Sequence, residues 1–266
     1  MTPVMTPLAG QSMTPLAESR LPAAEQWTPL TLGARLGPWF DPDDAANRTI
    51  LSSEYTDLAD KSGNGADMTA PVSADRPAHN IADQNGRDTM GFVKAQGNLM
   101  KFVDNAAVSA LFDGEKEIGL FAVIKMTGAT AGSGNFMRGL WSAPAWAFGW
   151  VWNVSASNFD TNVFGMGLNT TGISNDGNYH TLGHFSTVVS AGSDTDTVYV
   201  DSLSQTSQIT GTISAAGAFG SMGIGNNEVD TAPADVNWGE HWYVVQPTPT
   251  DAVNGMTYLQ SRWATF

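Results

Sequence analysis

The chain has 266 residues, 42% hydrophobic and only 14% charged, so it can bury a sizeable core and is not an intrinsically disordered polypeptide. A formal net charge of −14, from 12 Lys and Arg against 26 Asp and Glu, argues against nucleic acid or anionic lipid as a partner. The absence of cysteine excludes disulfide scaffolds, thiolate metal sites and cysteine nucleophiles, while 28 Gly and 9 Trp suit short strands and tight turns around aromatic packing.

Residues 1–31 stand apart as an extended arm. Met-Thr-Pro begins at Met1, Met5 and Met13, and Thr-Pro-Leu at Thr6, Thr14 and Thr28. Each proline fixes its own φ and drives the preceding residue out of the helical region, so the segment is extended and cannot be a helix. Two readings stay open. It is a floppy terminus, or it is a docking strap that places Met1, Pro3, Met5, Pro7, Leu8, Met13, Pro15 and Leu16 in grooves of a partner. No basic stretch followed by an apolar run is present, so no secretory signal is expected. No stretch is long and apolar enough for membrane insertion as a helix.

Residues 32–266 carry the punctuation of an all-β domain. Turns are predicted at Asp60-Lys61-Ser62-Gly63-Asn64-Gly65 and at Asn85-Gly86. Strands are predicted at Gly119–Lys125, Phe185–Val189, Val198–Val200 and Trp242–Val245, without the strand–helix alternation of a doubly wound fold. Near the end, Thr250-Asp251 can cap a short helix in which Val253, Met256, Leu259 and Trp263 share a face, although Gly255 weakens it.

The order of several pieces carries a resemblance. They are Leu36-Gly37-Pro38-Trp39-Phe40-Asp41, the Asp60–Gly65 turn, Asn85-Gly86-Arg87, Phe121–Lys125, Tyr179-His180-Thr181 and Val200-Asp201. Trp242–Val245 follows, then Tyr258-Leu259 and Trp263. In this order the chain resembles the laminin-G/concanavalin-A-like domains of bacteriophage and other particle structural proteins. The resemblance implies a two-sheet antiparallel jelly-roll-like sandwich over 32–266. It also implies a non-enzymatic virion protein: an outward-facing decoration, spike or fibre module, held to other particle proteins by residues 1–31. Such a module would be made in the host cytoplasm, displayed on the particle surface, homo-oligomeric, and adhesive to cell-surface polysaccharide. A stand-alone carbohydrate-binding module is the alternative, and an inactive or unusual glycosidase a third.

The candidate site residues divide by chemistry. Trp146, Phe148, Trp150 and Trp152 alternate onto one strand face, with Trp141 in the preceding loop. The stripe is either sandwich core or a platform on which sugar rings stack. Glycoside hydrolysis needs two carboxylates flanking one bond. Glu115-Lys116-Glu117 and the lone Glu240 supply no convincing pair. Asp41, Asp43 and Asp44 cluster near Asn47, and the resemblance implies calcium at such a loop rim, with solvated turns as the alternative; no other cofactor is expected. His180 and His184 have zinc-like spacing only on a helix, and their neighbours are β-formers.

Overall fold

The computed structural model of the protein describes residues 27–263 apart from 129–133, 142–147, 154–157, 164–165, 167, 172, 174, 191, 215–216 and 227–233. Strands β1 (Leu36–Phe40), β2 (Arg48–Leu51), β3 (Glu54–Leu58), β4 (Met68–Thr69), β5 (Ala78–Gln84), β6 (Arg87–Phe92) and β7 (Met100–Val103) precede a short helix, α1 (Ala106–Phe112). Then come β8 (Ile118–Met126), β9 (Gly134–Trp141), β10 (Phe148–Asn153), β11 (Asn158–Val163) and β12 (Leu168–Thr170). The chain closes with β13 (Tyr179–Thr187), β14 (Asp194–Val200), β15 (Ser207–Gly211), β16 (Phe219–Ile224), β17 (Val236–Val245) and helix α2 (Pro249–Trp263).

The strands form a jelly-roll-like sandwich in which every described pairing is antiparallel. One sheet runs β15-β14-β13-β8-β17, and both β1 and β6 pair along the far edge of β17. The other runs β12-β11-β10-β9-β16-β7-β4-β3-β2. A single pairing of Glu54 with Ala78 joins the two along one edge. Leu120, Ala122, Ile124 and Tyr243 of the first sheet share a core with Phe102, Met137, Phe148, Met222 and Ile224 of the second.

The middle strands of the first sheet, β8 and β17, are buried on both faces because α2 lies across their outer side. Strand β8 records this in its alternation: Leu120, Ala122 and Ile124 enter the inter-sheet core, whereas Phe121 and Val123 join Trp242, Met256, Leu259 and Trp263 beneath the helix. A strand covered twice reads as a continuous apolar run, as Gly119–Lys125 does. Each large side chain so buried contributes roughly 1.5–3 kcal/mol.

Local chemistry fixes the connections. Asn85 and Gly86 both have positive φ, 50° and 75°, which makes the β5–β6 turn the mirror-image type that suits a twisted hairpin. In the Asp60–Gly65 turn, Asp60 Oδ1 accepts the Ser62 amide at 2.8 Å and the Trp39 amide at 2.9 Å, tying the turn to β1. The α2 cap lies two residues earlier than the sequence suggests. Thr248 is the capping residue: its amide donates to Asp251 Oδ2 at 2.8 Å, and its hydroxyl oxygen accepts the Asp251 amide at 3.2 Å. Pro249 then opens the helix, where a missing N–H costs nothing. Val253, placed on the apolar face by its spacing, is 42% exposed, and Ala252 takes its role. Likewise β13 ends at Thr187, leaving Val188 and Val189 exposed beyond it.

The fold begins earlier than residue 32. The Trp27 ring packs 6.1 Å from Trp242 and 5.8 Å from Tyr258, and Pro29 and Leu32 are buried, so residues 27–31 belong to the folded unit. The strap residues Met1, Pro3, Met5, Pro7, Leu8, Met13, Pro15 and Leu16 lie outside the described residues.

Candidate functional site

Directly opposed residues of an antiparallel pair share a face. In β13 and β14, His184 faces Val198 and Ser186 faces Asp196 toward the interior, which leaves the pairs Phe185–Thr197 and Gly183–Tyr199 on the outer face. Phe185 and Tyr199 meet edge to face at 5.5 Å. Beside them the β14–β15 loop brings Gln205, and the turn into α2 brings Pro247, Thr248 and Pro249. Together with Thr187 and Thr197 they line an open depression of about 230 Å³.

Its chemistry is aromatic and neutral. Phe185 is 5% exposed and forms the floor, while Tyr199 is only half-buried. Burial raises the Tyr199 hydroxyl above its ordinary value, so it stays protonated and can donate at neutral pH. Gln205 donates Nε2 to Gln208 at 2.9 Å, which leaves its carbonyl oxygen for a ligand. Among the described lining residues there is no carboxylate. This arrangement can bind a ring with apolar C–H faces and hydroxyl edges.

A second concentration of functional groups fills the seam between β17 and α2. Trp238 pairs with Ile124 and His241 with Ala122, so Gly239 and Glu240 together oppose Val123 in a bulge. The extra residue turns Glu240 toward the helix, where its side chain is fully buried. Oε1 accepts Trp39 Nε1 at 2.9 Å and the Tyr258 hydroxyl at 2.8 Å, and Oε2 accepts Trp263 Nε1 at 3.1 Å. Arg262 Nε approaches Oε2 at 2.7 Å. Burial and then the neighbouring Asp41 push the Glu240 carboxyl up, against Arg262 and the hydrogen bonds.

Asp41, Asp43 and Asp44 do come together, and protein cations meet each one. Asp41 is fully buried and contacts Arg262 Nη2 at 2.6 Å and Lys61 Nζ at 3.2 Å. Asp43 contacts Arg87 at 2.6 Å, and Asp44 contacts Lys61 at 2.8 Å and accepts the Ala46 amide. These are ion pairs that tie β1 to the β3–β4 turn, β6 and α2. Among the described residues no group of three or more acidic or histidine side chains has the geometry of a metal site.

The other candidates separate. Trp146 lies outside the described residues; at Trp141, Trp150 and Trp152 only the strand backbone is described, and Phe148 of the same stripe is buried in the inter-sheet core. Glu115 accepts the Lys116 and Glu117 amides, and Glu117 accepts the Val188 amide. His180 and His184 both lie on β13, which spaces them about 13 Å apart along the strand. His180 bridges Asp201 at 2.6 Å and Asp176 at 3.2 Å, whereas His184 pairs with Asp196 inside the sandwich at 2.7 Å.

Sequence reasoning missed the Phe185–Tyr199 depression. The available signal was period-two alternation, which sets Tyr199 opposite in face to Val198 and Val200. Gln205 and the Pro247–Pro249 turn reach it only through the folded topology.

No family model matches the chain, and no curated protein sequence matches it. Solved structures share its fold. Domain 4 of AbnA, a GH43 extracellular arabinanase from Geobacillus stearothermophilus in complex with arabinotriose, is similar with a TM-score of 0.57 at 15% identity, over 84% of this chain and 98% of that one. The binding domain of botulinum neurotoxin DC in complex with SialylT is similar with a TM-score of 0.56 at 8% identity, over 86% and 52%. Trypanosoma rangeli sialidase in complex with 2,3-difluorosialic acid is similar with a TM-score of 0.56 at 12% identity, over 86% of this chain. The match spans only 33% of the length of that sialidase.

Proposed function

We propose that this protein is a non-catalytic carbohydrate-binding β-sandwich and that the Phe185–Tyr199 depression is its sugar site. One observation carries the reading: an aromatic floor ringed by neutral hydrogen-bonding groups on an otherwise covered sheet face. A pyranose or furanose ring lays its C–H face on Phe185 and Tyr199, and its hydroxyls exchange water for Thr187, Thr197, Gln205 and the Tyr199 hydroxyl. Complexes of similarly folded domains with arabinotriose and with SialylT support a sugar as the ligand class. Titration calorimetry of the full chain against a panel of oligosaccharides tests it. Tyr199→Ala should weaken the best binder at least tenfold, with the chain still folded and its Tm lowered by only about 2–6 °C. Undiminished binding by this variant would move the site elsewhere.

The Thr-Pro-rich arm motivates the remaining part of the proposal, that the sandwich is the outward-facing module of a virion or phage-like particle. The arm would anchor it to other particle proteins, and glycan binding would serve adhesion to a host surface. Co-sedimentation with particles tests this: the full chain should bind, and a chain beginning at Trp27 should not. Equal binding by both would reduce the arm to a tail.

A further inference from the structure

We infer that the Phe185–Tyr199 depression selects uncharged oligosaccharides and discriminates against acidic ones. The inference rests on the sugar-site reading above and adds the ligand class to it. Similar folds occur in complexes with a neutral arabinotriose and with a sialylated ligand, SialylT, so the fold leaves the class open. The charges around this site decide it.

The lining contributes hydroxyl, amide and aromatic groups and no cation. The arginine that reaches the adjoining turn is Arg35, and its guanidinium is committed. Nη1 donates to Asp251 Oδ2 at 2.6 Å and to the Gln246 carbonyl at 3.0 Å, while Nη2 donates to Asp251 Oδ1 at 3.1 Å. Lys116, before β8, directs its ammonium to the Ile213 carbonyl at 3.5 Å. Carboxylates, by contrast, hold the backbone where β13 ends: Glu117 Oε1 accepts the Val188 amide at 3.0 Å and Asp194 Oδ1 accepts the Val189 amide at 3.0 Å.

A sugar carboxylate entering here would shed water without meeting a cation. It would do so beside acidic groups, on a chain of net charge −14. A sugar hydroxyl meets no such penalty, because threonine, glutamine and tyrosine replace its water partners one for one. Discrimination therefore comes from what the site withholds as much as from what it offers.

The test compares arabinotriose, cellotetraose and maltotetraose with sialyllactose and oligogalacturonate, by calorimetry on the full chain at low and high salt. Binding confined to the uncharged probes, or at least tenfold tighter for them, with little change in affinity between the two salt concentrations, is the expected result. Gln205→Lys places a cation at the rim and should raise the affinity for the acidic probes several-fold. Preference for an acidic probe by the natural chain, with affinity falling as salt rises, would overturn the charge selectivity and leave the sugar site standing. Failure of every probe to bind would overturn the sugar site itself, and the selectivity with it.

Discussion

Glu240 and Arg262 meet at 2.7 Å in the seam between β17 and α2, with the carboxylate wholly buried. The contact joins a residue displaced by a β-bulge to the last turn of the C-terminal helix, and through Arg262 Nη2 it reaches Asp41 at the end of β1. One guanidinium thus holds the consecutive elements β17 and α2 to the end of β1, 221 residues away in sequence.

Arg262→Ala should therefore be costly. Removing one partner of a buried pair leaves the other charge uncompensated, typically at about 3–5 kcal/mol. The Arg262 side chain is 27% exposed, so water can reach part of the gap and the lower end of that range is expected. Urea unfolding of the variant measures it. A loss well under 1 kcal/mol would mean that the three hydrogen bonds to Glu240 suffice without the cation.

Gly255 sets two effects of opposite sign against each other. In an exposed helix, Gly→Ala gains roughly 0.5–1 kcal/mol. Here an added Cβ would lie 2.3 Å from the Phe121 ring, far inside contact distance. Gly255→Ala should destabilise by about 1–3 kcal/mol, as overpacking does. Adding Phe121→Leu should return part of the loss. A stabilised single variant would show that α2 lifts off β8 freely.

The same glycine explains what was legible in the sequence. Strand β8 and the end of β17 could be read because burial on both faces writes a continuous apolar run. Helix α2 was legible from Met256, Leu259 and Trp263, with Gly255 as the discordant residue. Its reason is a close approach to Phe121 on β8, far away in sequence, which local propensity cannot contain. Glu240 was visible as an acid among aromatics, but its burial depends on the bulge that reverses its face. Asp41, Asp43 and Asp44 were visible as a cluster, whereas Lys61, Arg87 and Arg262 arrive from three other elements. The Phe185–Tyr199 depression is illegible for the same reason: it is assembled from two strands, a loop and a helix start.

Acid should expose the work done by the α2 cap. Burial pushes the Asp251 carboxyl up, but the hydrogen bonds from Arg35 and Thr248 prevail and hold it below its ordinary value. A depressed carboxylate contributes stability that is present above the unfolded-state value, near 3.9, and is lost as pH falls through the folded value. Asp251→Asn should thus cost about 1 kcal/mol at pH 7, the usual scale of a lost cap. The gap between the two proteins should close toward pH 3. Urea unfolding at both pH values reads the difference, and a gap that widens on acidification would reverse the assigned sign.

Inside the sandwich, His184 and Asp196 pair at 2.7 Å with neither side chain exposed. The imidazole stacks on Phe148, centroids 4.5 Å apart and planes inclined by 19°, and Asp196 Oδ2 accepts the Thr161 hydroxyl at 3.1 Å. Asp196→Ala should cost about 1–3 kcal/mol, because a buried polar partner is left behind. Replacing both, His184→Leu with Asp196→Val, should cost less than that single change. Leucine keeps the apolar contact with Phe148, and the Thr161 hydroxyl can turn to the Asn169 carbonyl, which lies at 3.4 Å. Replacing both partners of a buried polar pair by apolar groups of similar shape can be nearly neutral or stabilising. Losses that simply add in the double variant would show that the two side chains act independently.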